Sequence, residues 1–351
     1  MHRPELTASS TVRRSLISRR TVGLSSLAAA AGALAGCSDS SADPAPSGAS
    51  VVPTGSASST PTGSASATPT VKPTVLANLD AIKVNGAFGK LPAVLAPWPL
   101  TSAETQSKAL VAGTGATVAK DGLVEVHYVG LNARTGKSFD ESFSKGAAAS
   151  FSLGQVVAGF QKGLEGKKVG DRVLILMPSK DGYADGNPDI GIEKGDALVF
   201  VVDILGTSLA KVTGTATAPA GFPTVTDNGD KAPTITIGSA AKPDKTTSAV
   251  LIKGAGRAVA ATDAVQVQYT CVNWDTGDVV AQTWSTGAAS GPLSSLIPAW
   301  KSQLVGKTVG SRVMVVAVPA DAYPKGNATP SVPAGATLVY VIDILFASAS
   351  Q

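Results

Sequence analysis

Metal-ion, nucleophilic and general-base chemistry falls to histidine, cysteine and paired carboxylates, and this chain of 351 residues has two histidines and two cysteines. His2 and Cys37 sit in the amino-terminal segment, which leaves His127 and Cys271 for the rest. A metal cluster, a Ser-His-Asp triad or a Cys-His pair each needs more than that. There is no Walker loop, GxGxxG or HExxH, and no paired carboxylates mark an obvious acid–base site. His127 stands next to Tyr128 in an alternating run, so it should point to the opposite face, towards solvent. Cys271 ends the alternating run Val265–Cys271 and reads as a small buried hydrophobe on a strand. What is left is an aromatic set, Tyr128, Phe139, Phe151, Phe160, Tyr183 and Phe200, with one carboxylate, Asp140, in the stretch GKSFDESF (Gly136–Phe143). Taken singly, each aromatic reads as core.

That stretch has a counterpart 141 positions on, GDVVAQTW (Gly277–Trp284), with Val280 and Ala281 in place of Phe139 and Asp140. The repeat extends to the elements around it. Val126-His127-Tyr128 answers to Val267-Gln268-Tyr269 at offset 141, and Gly163–Arg172 to Gln303–Arg312 at offset 140. A period this long is too large for a solenoid and marks a duplicated domain. In each copy, Val124–Tyr128 or its equivalent alternates like a half-buried strand, while Arg172–Met177 and Ala197–Leu205 read as more fully buried strands. Between them Val156, Val157, Phe160 and Leu164 recur at helical spacing, as do Leu296, Ile297, Trp300 and Leu304. One short helix among several strands, without βαβ alternation, predicts an α+β fold with an antiparallel sheet packed on a single helix.

The order strand-Tyr, Gly-Lys-Ser-Phe-Asp, Phe-x-Leu-Gly, Val-Val-Ala-Gly-Phe, Gly-Leu-Glu-Gly-x-x-Val-Gly-x-Arg, Gly-Tyr, Ala-Leu-Val-Phe resembles FKBP-type (macrolide-binding immunophilin) peptidyl-prolyl isomerases. The similarity covers 108–206 well and 250–346 more loosely. It implies two tandem domains, each a curved antiparallel sheet wrapped around one short helix with a shallow apolar pocket between them. By that resemblance Tyr128, Phe139 and Asp140 form one wall, Val156 and Val157 open the helix, and Phe160 is the floor. Phe151 lines the substrate-binding set, Tyr183 and Ile192 come from the long loop before the last strand, and Phe200 lies on that strand. Tyr128, Phe139, Asp140, Tyr183 and Phe200 are the expected catalytic set. Phe160 stands where tryptophan is usual, and the approach Gly154-Gln155-Val156 is about two residues short of the family pattern. The second copy keeps Tyr269, Leu296, Ile297, Trp300, Tyr323, Val332 and Tyr340 but lacks the Phe-Asp wall, so it reads as degenerate, with activity mainly in the first.

The amino terminus predicts export. Arg13, Arg14, Arg19 and Arg20 precede the apolar run Val22–Ala35, which ends in Leu34-Ala35-Gly36-Cys37, similar to a lipobox whose cysteine is lipidated. Ser18–Leu24 also resembles a twin-arginine signal. Residues 1–36 hold five of the 29 Lys and Arg and one of the 25 Asp and Glu, so the chain beyond them carries 24 of each and no net charge. The basic balance therefore gives no reason to expect a nucleic-acid partner. Ser, Thr, Ala, Gly and Pro dominate 37–75, a disordered tether spanning about 35 Å as a flexible coil. The resulting map is a signal at 1–36, tether at 37–75, first domain at 76–210 and second at 211–351. The expected protein is a cofactor-free, metal-free monomer, anchored through Cys37 to the outer face of the cytoplasmic membrane. It would isomerise X-Pro bonds of unfolded or exported polypeptides; the alternative is a non-catalytic peptide-binding chaperone module.

Overall fold

The computed structural model describes residues 71–349; the export signal, Cys37 and nearly all of the tether lie outside the described residues. The first copy starts with an arm of four short strands, β1 (Thr74–Val75), β2 (Lys83–Asn85), β3 (Ala93–Leu95) and β4 (Leu100–Thr101). The main sheet then uses β5 (Gln106–Val111), β6 (Leu123–Asn132), β7 (Ser138–Glu141), β8 (Ala149–Ser152), β9 (Arg172–Met177) and β10 (Leu198–Thr207), with α1 (Ala158–Leu164) between β8 and β9. Its order is β5-β9-β10-β6-β7, and β8 pairs with the first half of β6 while β7 pairs with the second. All of these pairings are antiparallel.

The second copy repeats the plan. Its arm is the hairpin β11 (Thr224–Asn228) and β12 (Lys231–Thr236). The sheet follows with β13 (Thr247–Ile252), β14 (Asp263–Asn273), β15 (Val279–Gln282), β16 (Ala289–Pro292), β17 (Arg312–Ala317) and β18 (Leu338–Ala349), and α2 (Pro298–Leu304) lies between β16 and β17. The order β13-β17-β18-β14-β15, with β16 on β14, is that of the first sheet. This is the expected α+β architecture, twice.

Period-two alternation explains why the central strands are apolar throughout. On β10, Leu198, Phe200, Val202 and Ile204 face α1, and Val199 and Val201 face the other way. The helix covers the first face. The second is covered by the arm, through Leu79, Ile82, Leu100 and, less deeply, Val84, Val94 and Trp98. A strand buried on both sides has no position for a polar residue unless that residue is paired. The pair is Arg172 with Asp203, two adjacent strand residues at 1% and 0% exposure joined by bonds of 2.6 and 2.7 Å. The arm's loop completes it. Arg172 donates to the carbonyls of Gly86 and Lys90 at 2.7 and 2.8 Å, and the Gly89 N–H donates to Asp203 at 2.6 Å. In the second copy Arg312 and Asp343 form the same pair at 2.6 Å, and Asp227 of the arm lies 3.2 Å from Arg312. Neither arm was anticipated from sequence, and β1 begins at Thr74, inside the stretch read as tether.

The copies also touch. Arg257 of the second lies 3.4 Å from Glu125 of the first, whose carboxyl burial pushes above its ordinary pKa, and the Leu209 N–H donates to the Leu345 carbonyl at 2.9 Å.

Candidate functional site

Where β6, β7, α1 and β10 converge, the first copy gathers its aromatic residues into one cluster. Val156 and Val157 enter it just ahead of the helix rather than inside it. Val157 is the extended capping residue, φ −60° and ψ 144°, and the helix itself starts at Ala158. A β-branched residue favours extended backbone, and here that conformation turns both valines into the core at 6% and 1% exposure. Phe160, fully buried, lies at the centre. Its ring centroid is 5.3 Å from Phe151, 5.3 Å from Phe200 and 6.4 Å from Tyr128, edge-to-face in each case with interplanar angles of 66°, 82° and 80°. Phe139 packs edge-on against Phe200 at 5.7 Å and remains partly exposed. Ile192 is buried in the same cluster, and Tyr183 packs against its edge. Every residue expected in the first site therefore meets the others.

Two polar features stand at the rim. The Tyr128 hydroxyl donates to Asp140, which also accepts from the Glu141 N–H at 3.0 Å and from Lys145 at 2.7 Å. Asp140 is 8% exposed, so these donors replace the water that its charge has lost. The second feature is the Tyr183 hydroxyl, which is buried and, among the described residues, has no hydrogen-bond partner. Burial, and then the Asp140 charge, push this phenol up to about 12, so it stays a proton donor at any physiological pH. An unpaired buried donor costs free energy until an acceptor arrives. A carbonyl brought to this edge of the cluster would supply one.

The wall carrying Phe139 and Asp140 is supported from behind. The turn before β7 places Gly136 at φ +72°, and a Cβ there would lie 2.4 Å from the Trp98 indole. Trp98 belongs to the arm, and Leu100 continues the support by donating to the Ala133 carbonyl at 2.9 Å. His127, expected to face solvent, is instead half-buried. Its ring stacks on Phe143 at 5.0 Å, and Nδ1 is 3.1 Å from the Ser142 hydroxyl, because the turn after β7 folds over the outer face of β6.

In the second copy Tyr269, Trp300 and Tyr340 form the corresponding cluster, with centroids 5.1 Å (Tyr269–Trp300) and 5.4 Å (Trp300–Tyr340) apart. Leu296 and Val332 are buried in it, and Ile297 and Tyr323 pack on it half-exposed. A cavity of about 60 Å³ opens there, and two residues not singled out for this site from sequence, Cys271 and Pro330, line it. Lys145 was likewise missed, although its place five residues after Asp140 in the same turn was a usable signal. Pro330 and Cys271 had none, since only the loop closure and the strand register bring them to the cavity.

A family model described as FKBP-type peptidyl-prolyl cis-trans isomerase matches residues 115–205 and 255–345. The chain is similar to a probable FK506-binding protein of Corynebacterium glutamicum, 37% identical over 99 residues that cover 27% of this chain and 80% of that protein. It is also similar to an FK506-binding protein of Streptomyces anulatus, 38% identical over 96 residues, 26% of this chain and 77% of that protein.

Proposed function

The chain belongs to the FKBP-type peptidyl-prolyl cis-trans isomerase family, and on that premise we propose that its first copy rotates X-Pro bonds of exported polypeptides while a lipid on Cys37 holds the protein at the outer face of the cytoplasmic membrane. The observation that carries the catalytic part is the Tyr183 hydroxyl, buried and without a partner among the described residues at the edge of the first copy's aromatic cluster.

Rotation of a peptide bond crosses a barrier of about 18–20 kcal/mol because the twisted state loses amide resonance. With that resonance goes charge separation, so the twisted imide is less polar than either planar form. Phe160, Phe200, Val156 and Val157 present an apolar floor that favours the twisted form and removes the water that stabilises the planar ones. Tyr183 donates to a carbonyl of the bound segment and fixes its path. Asp140 orients Tyr128 through their hydrogen bond and keeps one edge of the wall polar. No bond is made or broken, so the reaction calls for neither nucleophile nor cofactor. Localisation rests on the sequence around Cys37 alone.

The test is proline-limited refolding with the full chain, in which an isomerase speeds the slow phase and a mere holding module retards it. Tyr183→Phe keeps the ring and removes the donor, so kcat/KM should fall several-fold with folding intact. Unchanged kcat/KM would remove Tyr183 from the reaction. Cys37→Ser should shift the protein from the membrane to the soluble fraction, and retention of that variant on the membrane would defeat the anchor.

A further inference from the structure

The two copies differ at a position that neither the family match nor the site chemistry singles out. Gly130 pairs with Asp140 across β6 and β7 and with Phe200 across β6 and β10. At the same register Cys271 pairs with Ala281 and with Tyr340. A Cβ on Gly130 would lie 2.6 Å from the Phe139 ring and 2.7 Å from the Phe200 ring. The Phe139 ring can occupy its place in the wall only because residue 130 has no side chain. In the second copy a cysteine side chain stands at that register position, and the counterpart of Phe139 shrinks to Val280. Cys271 is 1% exposed, and burial pushes its thiol up to about 12. It is a neutral space-filler rather than a nucleophile.

A second exchange of volume accompanies the first. Phe151 faces Val124 in the first copy, and Gly291 faces Val265 in the second. The space given up by Phe151 is available to the larger floor residue, Trp300 for Phe160. The pocket is thereby reshaped rather than lost. Its cavity of about 60 Å³ is several times what one water needs, and the buried indole N–H of Trp300 has no partner among the described residues.

We propose that residue 130/271 decides what each copy does with its proline: Gly130 admits the Phe139 wall and permits turnover, whereas Cys271 excludes that wall and leaves the second copy a site that holds proline-containing segments without turning them. This rests on the isomerase reading of the first copy. The second copy's donors, the Trp300 indole and the Tyr323 hydroxyl, suit peptide carbonyls, and with alanine at 281 it has no carboxylate at the wall position.

The experiment is a cycle in the full chain at positions 130 and 139, read by melting temperature and by kcat/KM. Gly130→Cys should lower both, by several degrees and at least tenfold. Adding Phe139→Val should restore the melting temperature but not the activity. If the second change restores no stability, or if Gly130→Cys alone is silent, the proposal fails. In parallel, 5-fluorotryptophan labelling places a fluorine resonance at Trp300, assigned by its loss in Trp300→Phe. Acetyl-Ala-Leu-Pro-Phe amide should shift that resonance saturably, and no shift at millimolar peptide overturns the holding role. Both readouts stand even if the chain proves inactive: that result would defeat the isomerase reading, and the stability cycle and the fluorine shift would still be decided separately.

Discussion

The two copies share a sheet order, a helix position and a buried Arg-Asp pair, and they part company most sharply at one wall. In the first, Phe139 and Asp140 stand on β7, after a turn braced from behind by Trp98, with Asp140 tied to Tyr128 and Lys145. In the second, Val280 and Ala281 occupy the wall, and nothing lies within 4 Å of where a Cβ on Gly277, the counterpart of Gly136, would be. The same scaffold therefore carries two different sites. The wall can be lost without loss of the fold, because it belongs to an edge strand, whereas the arm and the ion pair belong to the centre. Stability and activity should then separate by region.

The largest effect is expected where the copies agree. Arg172→Met removes one partner of a pair whose other member, Asp203, is fully buried. Leaving such a charge unpaired costs about 3–5 kcal/mol, read as a shift of the urea midpoint. Arg312→Met should cost a similar amount, since Asp343 is 1% exposed. A loss below about 1 kcal/mol in either would end the parallel between the arms.

The next effect lies at the wall. Asp140→Ala should lower kcat/KM about tenfold, roughly 1.4 kcal/mol of transition-state stabilisation. Joined with Phe139→Val, it reproduces the Val280-Ala281 pair and should bring the first copy towards the activity of the second. Full activity of the double variant at unchanged melting temperature would take this wall out of the catalytic site and make the difference between the copies one of drift.

The smallest effect is at a distance. Trp98→Ala touches no pocket residue but removes the brace behind Gly136. A loss of about threefold in kcat/KM is expected, near 0.65 kcal/mol, with little change in the secondary-structure spectrum. If activity is unaffected, the arm of the first copy serves stability alone, as in the second, and the contrast between the two walls narrows to their side chains.

Much of this could be read along the chain because it is local. The repeat shows as matched stretches at offsets of 140 and 141, the strands as runs of period two, and the helix as apolar residues three and four apart. The aromatic residues that meet at Phe160 could be chosen because each lies in its own recognisable element. Those elements return to one place in any sheet that closes on a single helix. The missing wall of the second copy was visible for the same reason, as two letters changed inside a preserved frame.

The arms could not be read in this way. In the first arm, strands of two and three residues carry too little periodicity to register, and Trp98 meets Gly136 only across 38 positions of chain. His127 was misplaced because alternation assigns a face to a side chain but not the turn that later covers it. The exchange of Gly130 and Phe139 for Cys271 and Val280 depends on strand register and on whether a Cβ has room between two rings whose centroids are 5.7 Å apart. Composition and spacing determined which residues this protein would gather. Packing alone decided how much room they have there, because close-packed interiors respond to volumes that a linear pattern does not encode.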